Sequence, residues 1–261
     1  MSKLKYNDKV IYQSEDEDIY KTKKKCVIDK NYKYIHTNFF YRFFSFVIYR
    51  ILFMPFCFIW FKLFKSIKYK NTKILKSFKK TGYFIYGNHT STASDGISPT
   101  FICFPKKPSI IVNSDNLCTP FVGKLLPMMG AIPLPDDIDA TKNFYKAIEH
   151  TINHKKPVVI YPEAHLWPYY TKIRDFSDKS FRYPIKYDKP VFCFTTTYTM
   201  RKPHKKPKIT IYVDGPFYHD KSLPTKLAQQ KLRDQIYNKM NERASLSNYE
   251  YVKYIKGNDN D

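Results

Sequence analysis

The stretch Gly82-Tyr83-Phe84-Ile85-Tyr86-Gly87-Asn88-His89-Thr90-Ser91-Thr92-Ala93-Ser94-Asp95-Gly96 changes character at its middle. Tyr83 to Tyr86 are aromatic or β-branched, and the run Gly82–Tyr86 reads as a short strand. The polar residues that follow it directly include one histidine and one aspartate. In an open α/β sheet, the space beyond the carboxyl end of a strand is where ligands bind. Comparable β-rich runs occur at Ser109–Asn113, Pro157–Tyr161, Pro190–Thr197 and Lys208–Val213. Helical patterns alternate with the earlier ones. In Asp139–Asn153 an Asp cap is followed by Phe144, Ala147, Ile148, Thr151 and Ile152 on one face. In Pro224–Arg243, Ala228, Leu232, Ile236 and Met240 recur at four-residue spacing. Strands alternating with helices predict an α/β fold, a mostly parallel sheet flanked by helices.

The chemistry gathers at strand ends. Histidine titrates near neutral pH, so His89 is a candidate general base. Asp95 can accept the other ring N–H, fixing the tautomer and stabilising the imidazolium as it forms. A loop histidine bonded to a turn, with Asp95 capping the next helix, is the plainer alternative. A second strand, Val158-Val159-Ile160-Tyr161, runs into Pro162-Glu163-Ala164-His165, placing Glu163 at the same edge. Between the two lies Leu126-Pro127-Met128-Met129-Gly130-Ala131-Ile132-Pro133-Leu134-Pro135, rich in turn residues. No G-x-S-x-G is present, so a serine-hydrolase elbow is not expected. His89, Glu163 and His165 lack a recognisable ligand spacing, and no metal is expected.

Upstream, Phe39–Phe64 is aromatic and apolar, with Arg42, Arg50 and Lys62 as its only charges. A spanning helix wants roughly 20 apolar residues, and Pro55 is positioned to kink this one. Lys21 to Lys33 is basic on one side, and eight lysines without an acid fill Lys62 to Lys80 on the other. A single span carries its basic bias on one side. Basic flanks at both ends fit a segment that re-enters, forms a hairpin or lies in the interface, with lysines meeting anionic lipid. A buried helical hairpin over the main domain is the alternative. The expected division is a polar segment 1–38, a membrane-associated helical segment with its basic flank 39–80, and an α/β domain 81–261.

The whole chain of 261 residues carries 45 Lys and Arg against 23 Asp and Glu, a net +22. That surplus attracts anionic partners, although a low-GC genome also inflates Lys, Tyr and Phe. Cys26, Cys57, Cys103, Cys118 and Cys193 stand singly, so a disulfide framework is not expected and the thiols fit a reducing compartment. The first 25 residues lack the apolar stretch of a cleaved signal peptide.

Strand-end His and Asp, a mid-chain Gly turn and a strand-end Pro-Glu, in this order, resemble the 1-acylglycerol-3-phosphate acyltransferase superfamily. The resemblance covers roughly residues 80 to 215 and includes Lys189-Pro190-Val191-Phe192-Cys193-Phe194 as a later strand motif. It implies that His89 deprotonates an acceptor hydroxyl, which attacks an acyl thioester directly, while Asp95 holds His89. It also implies that Ser91, Gly130 and Glu163 serve the acceptor pocket. The substrates implied are acyl-CoA or acyl-carrier protein and a lysophospholipid, with no cofactor, on the cytoplasmic face of a membrane. Three departures stand out. Five residues rather than four separate His89 from Asp95. Ala164-His165-Leu166 replaces the family's Gly-Thr-Arg, and Asp136 replaces another Arg. Lys172 and Arg174 are the candidate replacement cations for phosphate. Two other readings remain: a membrane-bound scaffold of this fold without activity, and a basic nucleic-acid binder. For the latter no RNP, KH, zinc-finger or helix-turn-helix pattern exists and Phe39–Phe64 has no use, so nucleic acid is not an expected partner.

Overall fold

The computed structural model of the chain describes residues 4–19, 26–60, 67–91 and 94–257. A seven-stranded sheet forms its centre. Its strands are β2 (Lys68–Lys70), β3 (Tyr83–Gly87), β4 (Ser109–Val112), β5 (Ala131–Pro133), β6 (Pro157–Ile160), β7 (Val191–Arg201) and β8 (His204–Phe217), in the order β2-β8-β7-β3-β6-β4-β5. All neighbours are parallel except the hairpin β7–β8. The mostly parallel α/β sheet read from the sequence is the one observed.

Every residue of β3 and β6 is buried, as expected for central strands covered on both faces. Alternation along β3 sends Phe84 and Tyr86 to one face and Tyr83 and Ile85 to the other. The first face is covered by α5 (Ile138–Asn153) and α7 (Thr225–Ala244), through Phe144, Ile148, Leu232, Ile236 and Met240. The second packs Leu75 of the 3₁₀ turn Thr72–Phe78 and Ile102 of α3 (Ser94–Ile102) against Phe192, Phe194 and Ile211. Asp137, rather than Asp139, caps α5 by accepting the Ala140 N–H.

One continuous helical run packs on the helix Val122–Met129: α1 (Phe39–Phe46), a π-helical stretch (Val47–Phe53) and α2 (Met54–Trp60). Among its described side chains Tyr49 and Cys57 are buried, and the Tyr49 hydroxyl donates to Thr100 of α3. The wider turn sits just before Pro55, which lacks an N–H and would crowd the carbonyl four residues back. Phe39–Ile59 is long and apolar enough to cross a membrane, and only 17% of its apolar window is buried. Of its basic flanks, Lys62 and Lys65 on the far side and Lys21 to Lys25 on the near side lie outside the described residues.

Two features lie outside what the sequence showed. β2 pairs with β8 and Leu75 enters the core, so residues 68–78, grouped in the sequence division with the membrane-associated segment, contribute to the α/β body. Its alternating Lys68-Tyr69-Lys70 gives no apolar run to recognise. The polar segment before residue 38 is also part of this body: β1 (Lys9–Tyr12) pairs in parallel with β9 (Lys253–Lys256). The expectation of free thiols fails for one pair. Cys26 and Cys118 are disulfide-bonded across 92 residues, their Cα atoms 5.7 Å apart. Singly placed cysteines carry no local spacing signal, and only folding brings the N-terminal segment to the loop after β4. Cys57, Cys103 and Cys193 are buried free thiols.

Candidate active site

β3 delivers its loop to the carboxyl edge of the sheet. At Gly87 a Cβ would lie 2.1 Å from the Phe194 ring, so glycine lets β3 pass close beside β7. The Asn88 amide then donates to the Thr196 carbonyl at 3.1 Å and accepts the Thr196 N–H at 2.8 Å, fixing the loop's root to β7. The backbone of His89 is held from the other side. Its N–H donates to Glu163 Oε2 at 2.9 Å, and its carbonyl accepts the Trp167 N–H at 3.0 Å. The Thr90 carbonyl accepts the Tyr169 N–H and the Tyr198 hydroxyl. The loop after β6 thus clamps the loop after β3.

Within this clamp His89 Nδ1 lies 2.8 Å from Asp95 Oδ2. Asp95 is 3% exposed and stands in the first turn of α3, where the helix dipole favours a carboxylate. The same oxygen accepts the Ser91 N–H at 2.8 Å. The extra residue between His89 and Asp95 therefore does not prevent pairing; Thr92 and Ala93 lie outside the described residues. An ionised Asp95 accepts the Nδ1 proton, which leaves Nε2 unprotonated and able to take one. Nε2 has no protein partner among the described residues, and the side chain is 24% exposed. Ser91 braces the loop, its hydroxyl accepting the Ser94 N–H.

Glu163 and Arg174 form a wholly buried pair behind this loop, Arg174 Nη2 to Glu163 Oε2 at 3.3 Å. Glu163 Oε1 also accepts the Arg174 N–H. Burial pushes the Glu163 carboxyl above its ordinary pKa, while the Arg174 charge and the two backbone N–H groups oppose that shift. Arg174 donates further to the carbonyls of Glu15 and His165 and lies over the Trp167 ring. Expected as a phosphate cation, Arg174 lies at 1% exposure with its guanidinium bonded to Glu163 and backbone carbonyls. Lys172 is exposed two residues earlier on the same loop.

Gly130, expected at the acceptor pocket, lies at a turn. It caps α4 (Val122–Met129) with φ +109°, and a Cβ there would meet the Pro108 carbonyl at 2.4 Å. Its own carbonyl accepts the Ile110 N–H, placing it at the amino end of β5. His89 lies beyond the opposite, carboxyl, end of the sheet. Gly130 is thus a turn residue far from the His89 loop, and the Gly turn in the sequence marks backbone geometry.

Sequence reading missed three contributors. Tyr161 stacks on the His89 ring at 4.7 Å, and its hydroxyl donates to the Asp95 carbonyl at 2.5 Å. Its place beside Pro162-Glu163 was the available signal. The acidic stretch Glu15–Asp18 reaches the loop after β6: Glu17 accepts the Trp167 indole N–H, and Asp18 lies 2.8 Å from His165 Nδ1. Asp136, in the place of a family arginine, accepts the Ile28 N–H and donates its own to the Ile28 carbonyl, tying down the N-terminal segment. No local pattern announces contacts over such separations.

His89 and Asp95 thus pair beside an open edge of the sheet. The family model described as Acyltransferase matches residues 66–196. Among solved structures the chain is similar to the 1-acyl-sn-glycerophosphate (LPA) acyltransferase PlsC from Thermotoga maritima, with 12% identity, a TM-score of 0.50, and coverage of 78% of this chain and 94% of that one. At that identity the likeness is one of fold. No curated protein matches this chain. Half of the chain, including the His89–Asp95 loop and Glu163, lies within the family match, and the chain belongs to the acyltransferase family.

Proposed function

We propose that this enzyme transfers a fatty acyl group from a thioester, acyl-CoA or acyl-carrier protein, to the hydroxyl of a lysophospholipid such as lysophosphatidic acid. The observation that carries this reading is the open Nε2 of His89, set by the Nδ1 bond to buried Asp95 at the sheet's carboxyl edge. Nε2 takes the proton of the acceptor hydroxyl as its oxygen bonds to the thioester carbonyl carbon. The tetrahedral adduct collapses with cleavage of the C–S bond. The departing thiolate receives the proton from the imidazolium, which Asp95 has stabilised meanwhile. Ester and free thiol are the products, and His89 and Asp95 return to their starting states. No cofactor enters the step. The exposed apolar helix Phe39–Ile59 supports work at a membrane, where lysolipid and fatty acyl chain reside; the cytoplasmic face is the side proposed.

The test follows thiol release from palmitoyl-CoA, and separately acyl transfer from acyl-carrier protein, on vesicles carrying a panel of lysophospholipids. Release that requires an acceptor and disappears in His89→Ala establishes the reading and identifies the acceptor. Release that His89→Ala leaves unchanged overturns the mechanism. No turnover with either donor across the panel favours the scaffold instead.

A further inference from the structure

Away from His89, at the amino ends of β4 and β6, basic side chains from four parts of the fold converge. Lys107 precedes β4 and Lys156 immediately precedes β6. His150 and His154 come from the end of α5, their rings 4.0 Å apart. Arg42 projects from α1 and Arg50 from the π-helical stretch. Lys107 Nζ donates to Ser45 Oγ at 2.9 Å and to the Met128 carbonyl, joining α1 to α4, and lies 4.9 Å above the Tyr49 ring. Arg50 donates to the Pro105 carbonyl and approaches the same ring. Arg42 is close enough to repel both His150 and Lys156, while Lys156 and Arg50 repel Lys107. Among the described residues, none of these groups has a carboxylate within ion-pair distance. Converging like charges of this kind cost free energy that a bound anion would recover. Burial, then its cationic neighbours, pull Lys107 down to about 8; Lys156 and His150 are lowered for the same two reasons.

We infer that Arg42, Lys156 and His150, beside the half-buried Lys107, form a binding site for the phosphate of an anionic membrane lipid, separate from the acyl-transfer site. One observation selects a lipid as the source. The cluster adjoins the helix whose Phe39, Phe40, Phe43 and Phe44 stand exposed, so a headgroup meets it while acyl chains meet the aromatic rings. The groups suit a phosphate: an arginine fork grips two of its oxygens, and Lys156 adds compact charge. The position at the amino edge excludes the substrate phosphate, which must lie near His89 at the carboxyl edge. The site deepens the membrane reading and rests on it.

The experiment measures binding of the full chain to phosphatidylglycerol-containing and pure phosphatidylcholine vesicles by co-sedimentation. Each cation removed is expected to weaken binding about fivefold. Arg42→Gln/Lys156→Gln, which keeps the hydrogen bonds of Lys107, is therefore expected to weaken binding to anionic vesicles on the order of 25-fold. Lys205→Gln/Lys206→Gln, an equal charge loss at exposed positions near the start of β8, is expected to stay within about twofold of wild type because it lies outside the site. Equal losses in the two variants overturn the site in favour of diffuse attraction. Wild-type binding that ignores lipid charge overturns the site and leaves the membrane reading standing; binding to neither vesicle overturns both. Displacement by millimolar glycerol 3-phosphate or inorganic phosphate assigns the cluster to a soluble phosphate and overturns the lipid.

Discussion

In the proposed mechanism Nε2 of His89 takes the acceptor's proton, and its availability depends on what Nδ1 does. With Nδ1–H given to Asp95 at 2.8 Å, the ring presents a lone pair outward. His89→Ala is expected to lower turnover about 10²–10⁴-fold with an unchanged circular dichroism spectrum. Asp95→Asn is expected to lose less but remain clearly impaired, because the amide cannot stabilise the imidazolium; full activity in either variant would refute the assignment. Lys107 offers a pH test at the same scale. Its pKa in the folded chain is about 8 against an ordinary 10.5, so between those values the unfolded chain holds more protons. Stability must then rise with pH across that window. Wild type is expected to gain thermal stability relative to Lys107→Met between pH 8 and pH 10. A difference in midpoint that stays constant across that range removes the premise. The groups around Lys107 are Lys156, Arg50, Ser45, the Met128 carbonyl and the Tyr49 ring, none of which is acidic.

At the scale of elements, recognition followed burial. β3, β6 and the first part of β7 are covered on both faces, so their sequences are continuous apolar runs and were legible. α5 and α7 each present one apolar stripe to the sheet, which shows as spacing of three and four. β2 and β5 are three-residue edge strands, too short to set a period, and β1 finds its partner β9 at the far end of the chain. The turn at Gly130 belongs to this scale. Its φ of +109° and the nearby Pro108 carbonyl leave no room for a side chain. Gly130→Ala is expected to cost about 1–3 kcal/mol of stability, read as a lower thermal midpoint. Under saturating substrate at low temperature kcat is expected to match wild type, since the sheet separates this turn from His89. A selective loss of kcat with unchanged stability would return Gly130 to the site.

Across the whole molecule, the buried Glu163–Arg174 pair joins three stretches distant in sequence: the His89 loop, the loop after β6 and the N-terminal acidic stretch. Removing the carboxylate alone strands a buried guanidinium. Glu163→Ala is expected to cost about 3–5 kcal/mol, seen as a thermal midpoint lowered on the order of 10 °C. Glu163→Gln, which still accepts hydrogen bonds, is expected to recover part of that loss. A midpoint unchanged in Glu163→Ala would show that the pair does not hold the three stretches together. Disulfide-bonded Cys26 and Cys118, together with Asp136 and Ile28, fasten the same N-terminal region farther along the sheet edge.

The sequence by itself determined the alternating α/β architecture, the aromatic helix, the placing of His89 and Glu163 just beyond strand ends and that of Asp95 at the start of the next helix. Those features are written in short-range periodicity, strand termini and motif order. Tertiary structure alone decided the roles that depend on distant partners. It made Arg174 a buried brace, made Gly130 a remote turn, set Tyr161 against His89, paired Cys26 with Cys118 and gathered Arg42, Lys107, Lys156 and His150. The reason is physical: chain-distant contacts arise from how faces pack, and a residue's neighbours in sequence carry no record of which surface will close over it.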